Sequence, residues 1–91
     1  MTFEGLPGGD LIEKGIGDLR EGREALEALL VSVGAPRLRR IGFDVPATIE
    51  RPERRLYERL AAEDADAAHG RYNALIRRLV SFERAAECAS P

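Results

Sequence analysis

Apolar residues recur at alternating intervals of three and four near the N-terminus, the spacing that places them on one side of an α-helix. This series runs Ile12, Ile16, Leu19, Arg23, Leu26, Leu30 and Val33, and it is apolar except at Arg23. It predicts one long helix over about 11–33, with Asp10 as its N-cap, an end at Gly34, and Pro36 preventing continuation. Glycine often ends a helix, so the alternative is a break near Gly22.

A second series of the same spacing lies near the C-terminus. It comprises Ala68, Tyr72, Leu75, Leu79, Phe82, Ala86 and Ala89. The series predicts the other long helix, over about 66–89, after turn residues Asp64 and Asp66. Ile76 and Val80 widen its apolar stripe, which indicates contact with two neighbouring helices rather than one.

The segment between these two helices predicts shorter elements. Pro36 begins a short helical turn near 36–41, and residues 42–51 form the connecting loop. Pro52 opens a shorter helix over about 52–63, in which Leu56, Tyr57, Leu60 and Ala61 form the apolar face. Four glycines and prolines within residues 1–9 predict a flexible N-terminal segment. The expected fold class is all-α, a small helical bundle forming a single domain over 1–91.

The length and composition of the chain favour association with another chain. Its 91 residues are 44% hydrophobic and 33% charged, which is ordinary for a globular protein, but so short a chain has a thin core. Gly15 and Gly22 flank the first apolar series and predict a groove that lets a second helix approach closely. We therefore expect a homodimer, or binding to a helical protein partner.

Arg23 interrupts the first apolar series, and two interpretations of it are open. A charge in an apolar row is costly unless it is paired or reaches solvent, so Arg23 either sets the register or marks a surface that faces a partner. Alternatively, its aliphatic stem packs on the apolar row while the guanidinium reaches water beside Glu27.

The middle of the chain is locally basic, although the chain as a whole carries a net charge of −2. Residues 37–59 hold 7 cationic and 4 acidic side chains. Guanidinium groups pair bidentately with phosphate or carboxylate, so an anion-binding patch is predicted at Arg37, Arg39, Arg40, Arg54 and Arg55. The alternative is that these arginines pair with acidic residues of the first helix. Nucleic-acid-binding domains are usually basic overall, so nucleic acid is the second choice of partner.

The residues that most often carry chemistry are isolated here. His69 is the only histidine and Cys88 the only cysteine, and neither has the partners of a metal site or an activated thiol. We expect no catalytic activity, metal or cofactor. The lack of a disulfide, a signal peptide and a long apolar run favours a cytoplasmic protein without a membrane segment. The function predicted from the sequence is a small protein–protein interaction module.

Overall fold

Four helices account for most of the chain. The computed structural model describes Phe3 and residues 5–89, and this part contains no strand. The helices are α1 (Gly9–Arg20), α2 (Leu26–Ile41), α3 (Pro52–Glu63) and α4 (Ala68–Ala89). The predicted all-α helical bundle is confirmed. Helix α2 packs against each of the other three helices, and the molecule measures 41 × 25 × 18 Å.

The predicted long helix over 11–33 is wrong in its middle, because the chain breaks after Arg20. Its start is also wrong, since α1 begins at Gly9 and the N-cap is Gly8 rather than Asp10. Gly22 has a φ of +73°, which an L-residue adopts only at a cost. The N–H of Gly22 bonds to the carbonyl of Leu19 (3.2 Å), and that of Arg23 to the carbonyl of Asp18 (2.8 Å). These two bonds are the Schellman motif that satisfies the last carbonyls of a helix.

Helix α2 also continues where an end was predicted. It runs through Gly34 and Pro36, so the predicted turn over 36–41 is the last part of this helix rather than a separate element. Leu38 within it is completely buried, which holds the segment on the core. The helix ends at Gly42, where the N–H of Phe43 bonds to the carbonyl of Leu38 (3.0 Å).

Close packing explains Gly34 better than capping does. A Cβ added at Gly34 would lie 2.8 Å from Cδ1 of Leu79 and 3.0 Å from Oε2 of Glu83, both on α4. A Cβ at Gly15 of α1 would overlap the backbone of Glu27 and the side chain of Val31 on α2. Both glycines therefore allow two helices of this chain to approach closely.

The C-terminal half follows the sequence prediction closely. Helix α3 has the predicted bounds, and α4 begins two residues later than predicted, at Ala68. Between them Oδ1 of Asp64 accepts the backbone N–H groups of Asp66 (3.1 Å) and Ala67 (3.3 Å), as a capping aspartate does. Residues 42–51 form the connection between α2 and α3.

Aromatic side chains tie the N-terminal segment to the bundle. The ring of Phe3 lies 5.2 Å from that of Phe43 and 6.1 Å from that of Phe82, centroid to centroid. Phe82 is completely buried, and Leu6 also packs against the core. The remaining predicted feature of this segment, its flexibility over 1–9, stays a prediction; Met1, Thr2 and Glu4 lie outside the described residues.

Candidate functional site

The five arginines of the predicted anion patch fall into two groups at different places. Arg37 lies on the C-terminal half of α2, where its Nε donates to Oε1 of Glu87 (2.8 Å) and its Nη1 is 3.6 Å from Oε1 of Glu83. Arg39 donates to the carbonyls of Val45 and Pro46 in the following loop. These two guanidinium groups are engaged by other parts of the chain.

Arg40 is the remaining member of this first group. It lies one position beyond Arg39 in the last turn of α2 and is exposed. No ion pair forms at Arg40 within the part of the chain that the structure describes.

The second group lies at the start of α3. Arg54 donates to Glu58 (2.9 Å), one turn along the same helix, and Arg55 donates to Glu24 (2.6 Å), which precedes α2. Arg54 and Arg55, together with Arg51, line an open cleft of about 390 Å³ that also includes Glu50 and Glu58. Arg51 precedes α3 in a left-handed conformation with a φ of +51°.

The two groups do not form one site. The first is at the C-terminal end of α2, whereas Arg55 is bound beside the N-terminal end of that helix. A helix of 16 residues is about 24 Å long. No single small anion spans that distance, so only the group at the start of α3 forms a local cluster of guanidinium groups.

A buried carboxylate lies between α2 and α4. Glu83 is only 4% exposed, and burial raises its pKa, although Arg37 acts in the opposite direction. The hydrogen bond from Arg37 lowers the pKa of Glu87. A carboxyl whose pKa is raised by folding destabilises the protein when ionised, and this cost disappears as the pH falls. The ionised carboxylate of Glu87 instead stabilises the folded protein, and this stabilisation is lost as the pH falls through its lowered pKa.

The three residues predicted to form a helix-packing or partner surface do not lie together on one surface. Gly15 is buried in the contact between α1 and α2, so the helix that approaches it belongs to the same chain. Gly22 and Arg23 lie in the exposed turn between these helices. Arg23 pairs with Asp18 (3.2 Å) and with Glu21 rather than lying beside Glu27.

Asp18 is a second buried carboxylate, held by cations on both sides. It accepts from Nζ of Lys14 (2.7 Å) and from Nε of Arg23 (3.2 Å). The hydrogen bond from Lys14 is the main reason why the pKa of Asp18 is lowered, and it also raises the pKa of Lys14. Both shifts favour the Lys14–Asp18 ion pair within α1, and the pair of Asp18 with Arg23 ties the end of α1 to the turn that follows it.

The outer face of α3 carries an aromatic side chain that the sequence placed on the inner face. Tyr57 is 39% exposed, the highest among the large hydrophobic residues in the described part of the chain, whereas Leu56 and Leu60 are fully buried. The ring of Tyr57 lies 5.7 Å from that of Tyr72 on α4. Tyr57 follows Arg54 by three residues, so it lies on the side of α3 that carries the Arg54–Glu58 ion pair.

The isolated histidine and cysteine are both exposed. Nε2 of His69 is 3.2 Å from Nδ2 of Asn73, one turn along α4, and Cys88 is a free thiol. Among the described residues no three histidine, cysteine, aspartate or glutamate side chains are grouped as a metal ion would require.

Comparison with protein-family models found no matching family, comparison with curated proteins found no matching sequence, and comparison with solved structures found no matching structure. Within residue 3 and residues 5–89, no helix has the length and apolar character needed to cross a membrane. The function therefore has to be argued from the residues of this chain.

Proposed function

We propose that this chain is a small helical protein–protein interaction module that forms a homodimer through the outer face of α3. The observation that carries the proposal is the exposed ring of Tyr57 beside an ion pair on the same helix face. Tyrosine and arginine are the side chains most enriched at the centres of protein interfaces. Among the described residues, Tyr57 is the most exposed large hydrophobic side chain, and it is therefore the best starting point for a contact.

The arrangement of charge on α3 favours a second copy of this chain as the partner. Arg54, Tyr57 and Glu58 are spaced i, i+3 and i+4, so they share one side of the helix. In a two-fold dimer the same surface meets itself in reverse order. Arg54 of each copy then faces Glu58 of the other, and Tyr57 adds apolar contact beside the axis.

The glycines and apolar stripes from which the sequence predicted association make their contacts within this chain. The glycine groove at Gly15 is occupied by α2 of the same chain, and Gly34 is covered by Leu79. The apolar stripes of the helices form the core of the bundle. The outer face of α3, where charged side chains surround the ring of Tyr57, is accessible to a partner.

A charge exchange tests this dimer. Sedimentation equilibrium of the wild type should give twice the mass of one chain, and Tyr57→Ser should give a monomer with unchanged helical circular dichroism. Arg54→Glu should also weaken the dimer, because like charges then face each other across the axis. Combining Arg54→Glu with Glu58→Arg should restore it, since each new pair is again of opposite charge.

The matched control is Arg84→Glu, which changes the charge of an exposed residue on α4, away from α3. It should leave the dimer intact. A wild type that stays monomeric at the highest soluble concentration contradicts the proposal. So does a Tyr57→Ser variant that dimerises as the wild type does.

Anion binding at the start of α3 is the second candidate function, favoured by the cleft that Arg51, Arg54 and Arg55 line. No side chain caps the N-terminus of α3, and such a terminus attracts negative charge. Glu50 and Glu58 on the same cleft, and the ion pair that already engages Arg54, oppose binding.

Binding of a labelled oligonucleotide at increasing salt concentration separates the two functions. An anion site predicts affinity that falls steeply with salt and is lost when Arg51 and Arg55 are both changed to glutamate. The Arg54→Glu/Glu58→Arg variant should form the dimer and show no affinity for the oligonucleotide. An affinity unchanged in the Arg51→Glu/Arg55→Glu variant argues against the anion site.

A further inference from the structure

An aromatic cleft lies beside the last turn of α1 and the residues that follow α2, away from the proposed dimer face. We propose that it binds a small organic cation with an apolar body, such as an amine carried on a single ring. The cleft has a volume of about 400 Å³. Its lining residues are Phe3, Glu13, Ile16, Gly17, Arg20, Gly42, Phe43 and Asp44.

The apolar part of the cleft is rigid. Phe43 and Ile16 are 6% and 4% exposed, so their side chains are fixed by the core beneath them. The ring of Phe43 is stacked on that of Phe3 and also contacts the buried ring of Phe82 (5.3 Å between centroids). Binding sites for small molecules are typically preformed and largely apolar, with a few polar groups that orient the ligand.

Glycine leaves the cleft open on the side of α1. A Cβ added at Gly17 would meet no atom within 4 Å, in contrast to Gly15, which is in tight contact with α2. Glu13, Ile16, Gly17 and Arg20 are spaced i, i+3, i+4 and i+7, so one side of α1 forms the wall of the cleft. The absence of a side chain at position 17 therefore provides the room that a ligand would occupy.

The charges around the cleft favour a cation. Among the described residues, two carboxylates, those of Glu13 and Asp44, and one guanidinium, that of Arg20, line it. Nη2 of Arg20 is 3.9 Å from Oδ2 of Asp44, so this guanidinium is already close to an acidic group. Helices α1 and α2 both end at the cleft, at Arg20 and Ile41, and the C-terminal end of a helix carries partial negative charge.

The size of the cleft limits the ligand. Small-molecule sites range from about 300 to 1,000 Å³, and this one is near the lower limit. One ring against the half-buried Phe3, above the buried Phe43, with an ammonium group directed to the carboxylates, matches both the volume and the charge.

Three probes of one shape test the preference for a cation. 2-Phenylethylamine is the cation, phenylacetate the anion, and 2-phenylethanol the neutral molecule. We expect 2-phenylethylamine to shift the amide resonances of Gly17, Gly42 and Asp44 saturably at concentrations below roughly 10 mM, the range reached by ligands of this size. The alcohol should bind more weakly, and phenylacetate weakest of all.

Substitution of two glycines that have open space around them provides a test variant and a matched control. Gly17→Leu should fill the cleft and abolish binding without unfolding α1, because nothing lies near the new side chain. Gly70→Leu places the same side chain in open space on α4 and should leave binding unchanged. Glu13→Gln together with Asp44→Asn should weaken the amine about five-fold and leave the alcohol unaffected, as expected for two exposed ion pairs.

Several results would overturn the proposal. They are the lack of a saturable shift with the amine, equal affinity for the amine and phenylacetate, and unchanged binding in Gly17→Leu. None of these depends on the oligomeric state, because the cleft and the outer face of α3 share no residue.

Discussion

Two glycines of α1 should respond in opposite directions to the same substitution. Alanine is favoured over glycine inside a helix by about 1 kcal/mol, and this gain is available to both Gly15→Ala and Gly17→Ala. A Cβ at Gly17 meets nothing, so Gly17→Ala should raise the free energy of unfolding by about 1 kcal/mol.

At Gly15 the new methyl group meets backbone. It would lie 2.9 Å from the carbonyl carbon of Glu27 and would overlap the carbonyl oxygen of Glu27 and Cγ2 of Val31. Overpacking costs up to about 3 kcal/mol when the obstructing group cannot rotate away. Subtracting the gain in helix propensity, we expect Gly15→Ala to lower the free energy of unfolding by about 2 kcal/mol.

Urea denaturation followed by circular dichroism at 222 nm measures this difference directly. The two variants should differ by about 3 kcal/mol, which for a domain of this size corresponds to a gap of more than 10 °C in Tm. If Gly15→Ala proves as stable as Gly17→Ala, then α1 does not approach α2 at this point and the packing described above is incorrect.

Four further substitutions have expected outcomes in the same unfolding assay. Glu83→Gln should stabilise the protein at pH 7, because it removes a buried charge, and this advantage should shrink as the pH falls towards 4 and wild-type Glu83 becomes neutral. Leu79→Asp should cost more than about 3 kcal/mol, whereas Leu26→Asp should cost about 1 kcal/mol or less, since Leu26 is half-buried at a helix N-terminus that favours negative charge. Gly22→Ala should cost about 1 kcal/mol because of its left-handed backbone.

The apolar spacing predicted which residues form the core better than it predicted where the helices end. The spacing from Ile12 to Val33 continues across the break at Gly22, but it marks the core of α1 better than that of α2. Leu26 and Val33 are only partly buried, whereas the core of α2 includes Ala28, Val31, Ala35 and Leu38, which lie outside the series. Spacing alone cannot distinguish two helices with this break from one continuous helix. The decisive feature is the hydrogen bonding of Gly22 and Arg23 to the end of α1, which depends on the backbone conformation.

The wrong helix end at Gly34 has a different cause. Glycine followed by proline two residues later is a strong local signal for the end of a helix. Tertiary packing overrides it here, because Leu38 is buried only if the helix continues, and Gly34 lets Leu79 come close. Local preference is a weak constraint beside the burial of a large side chain.

The sequence indicated pairing of the arginines within the chain as an alternative, which Arg55 follows, but it did not predict that Arg37 pairs with α4. Arg37 pairs with Glu87, 50 positions away, and Arg55 with Glu24, 31 positions away. The helical spacing correctly indicated that Leu56 and Leu60 are buried, but the width of the buried side depends on how neighbouring helices lie. Tyr57 is at the edge of that side and therefore reaches solvent.

The central position of α2 determines which helices can unfold locally and which unfold only with the whole chain. Because α2 contacts all three other helices, its release exposes the whole core at once, whereas α3 or the end of α4 can separate at a smaller cost. The amide hydrogens of buried residues such as Leu30 and Val31 should therefore exchange with solvent only when the entire chain unfolds. Helix α2 carries Gly34 and Pro36, which were expected to end a helix. Its amide hydrogens should nevertheless be the slowest to exchange in the protein.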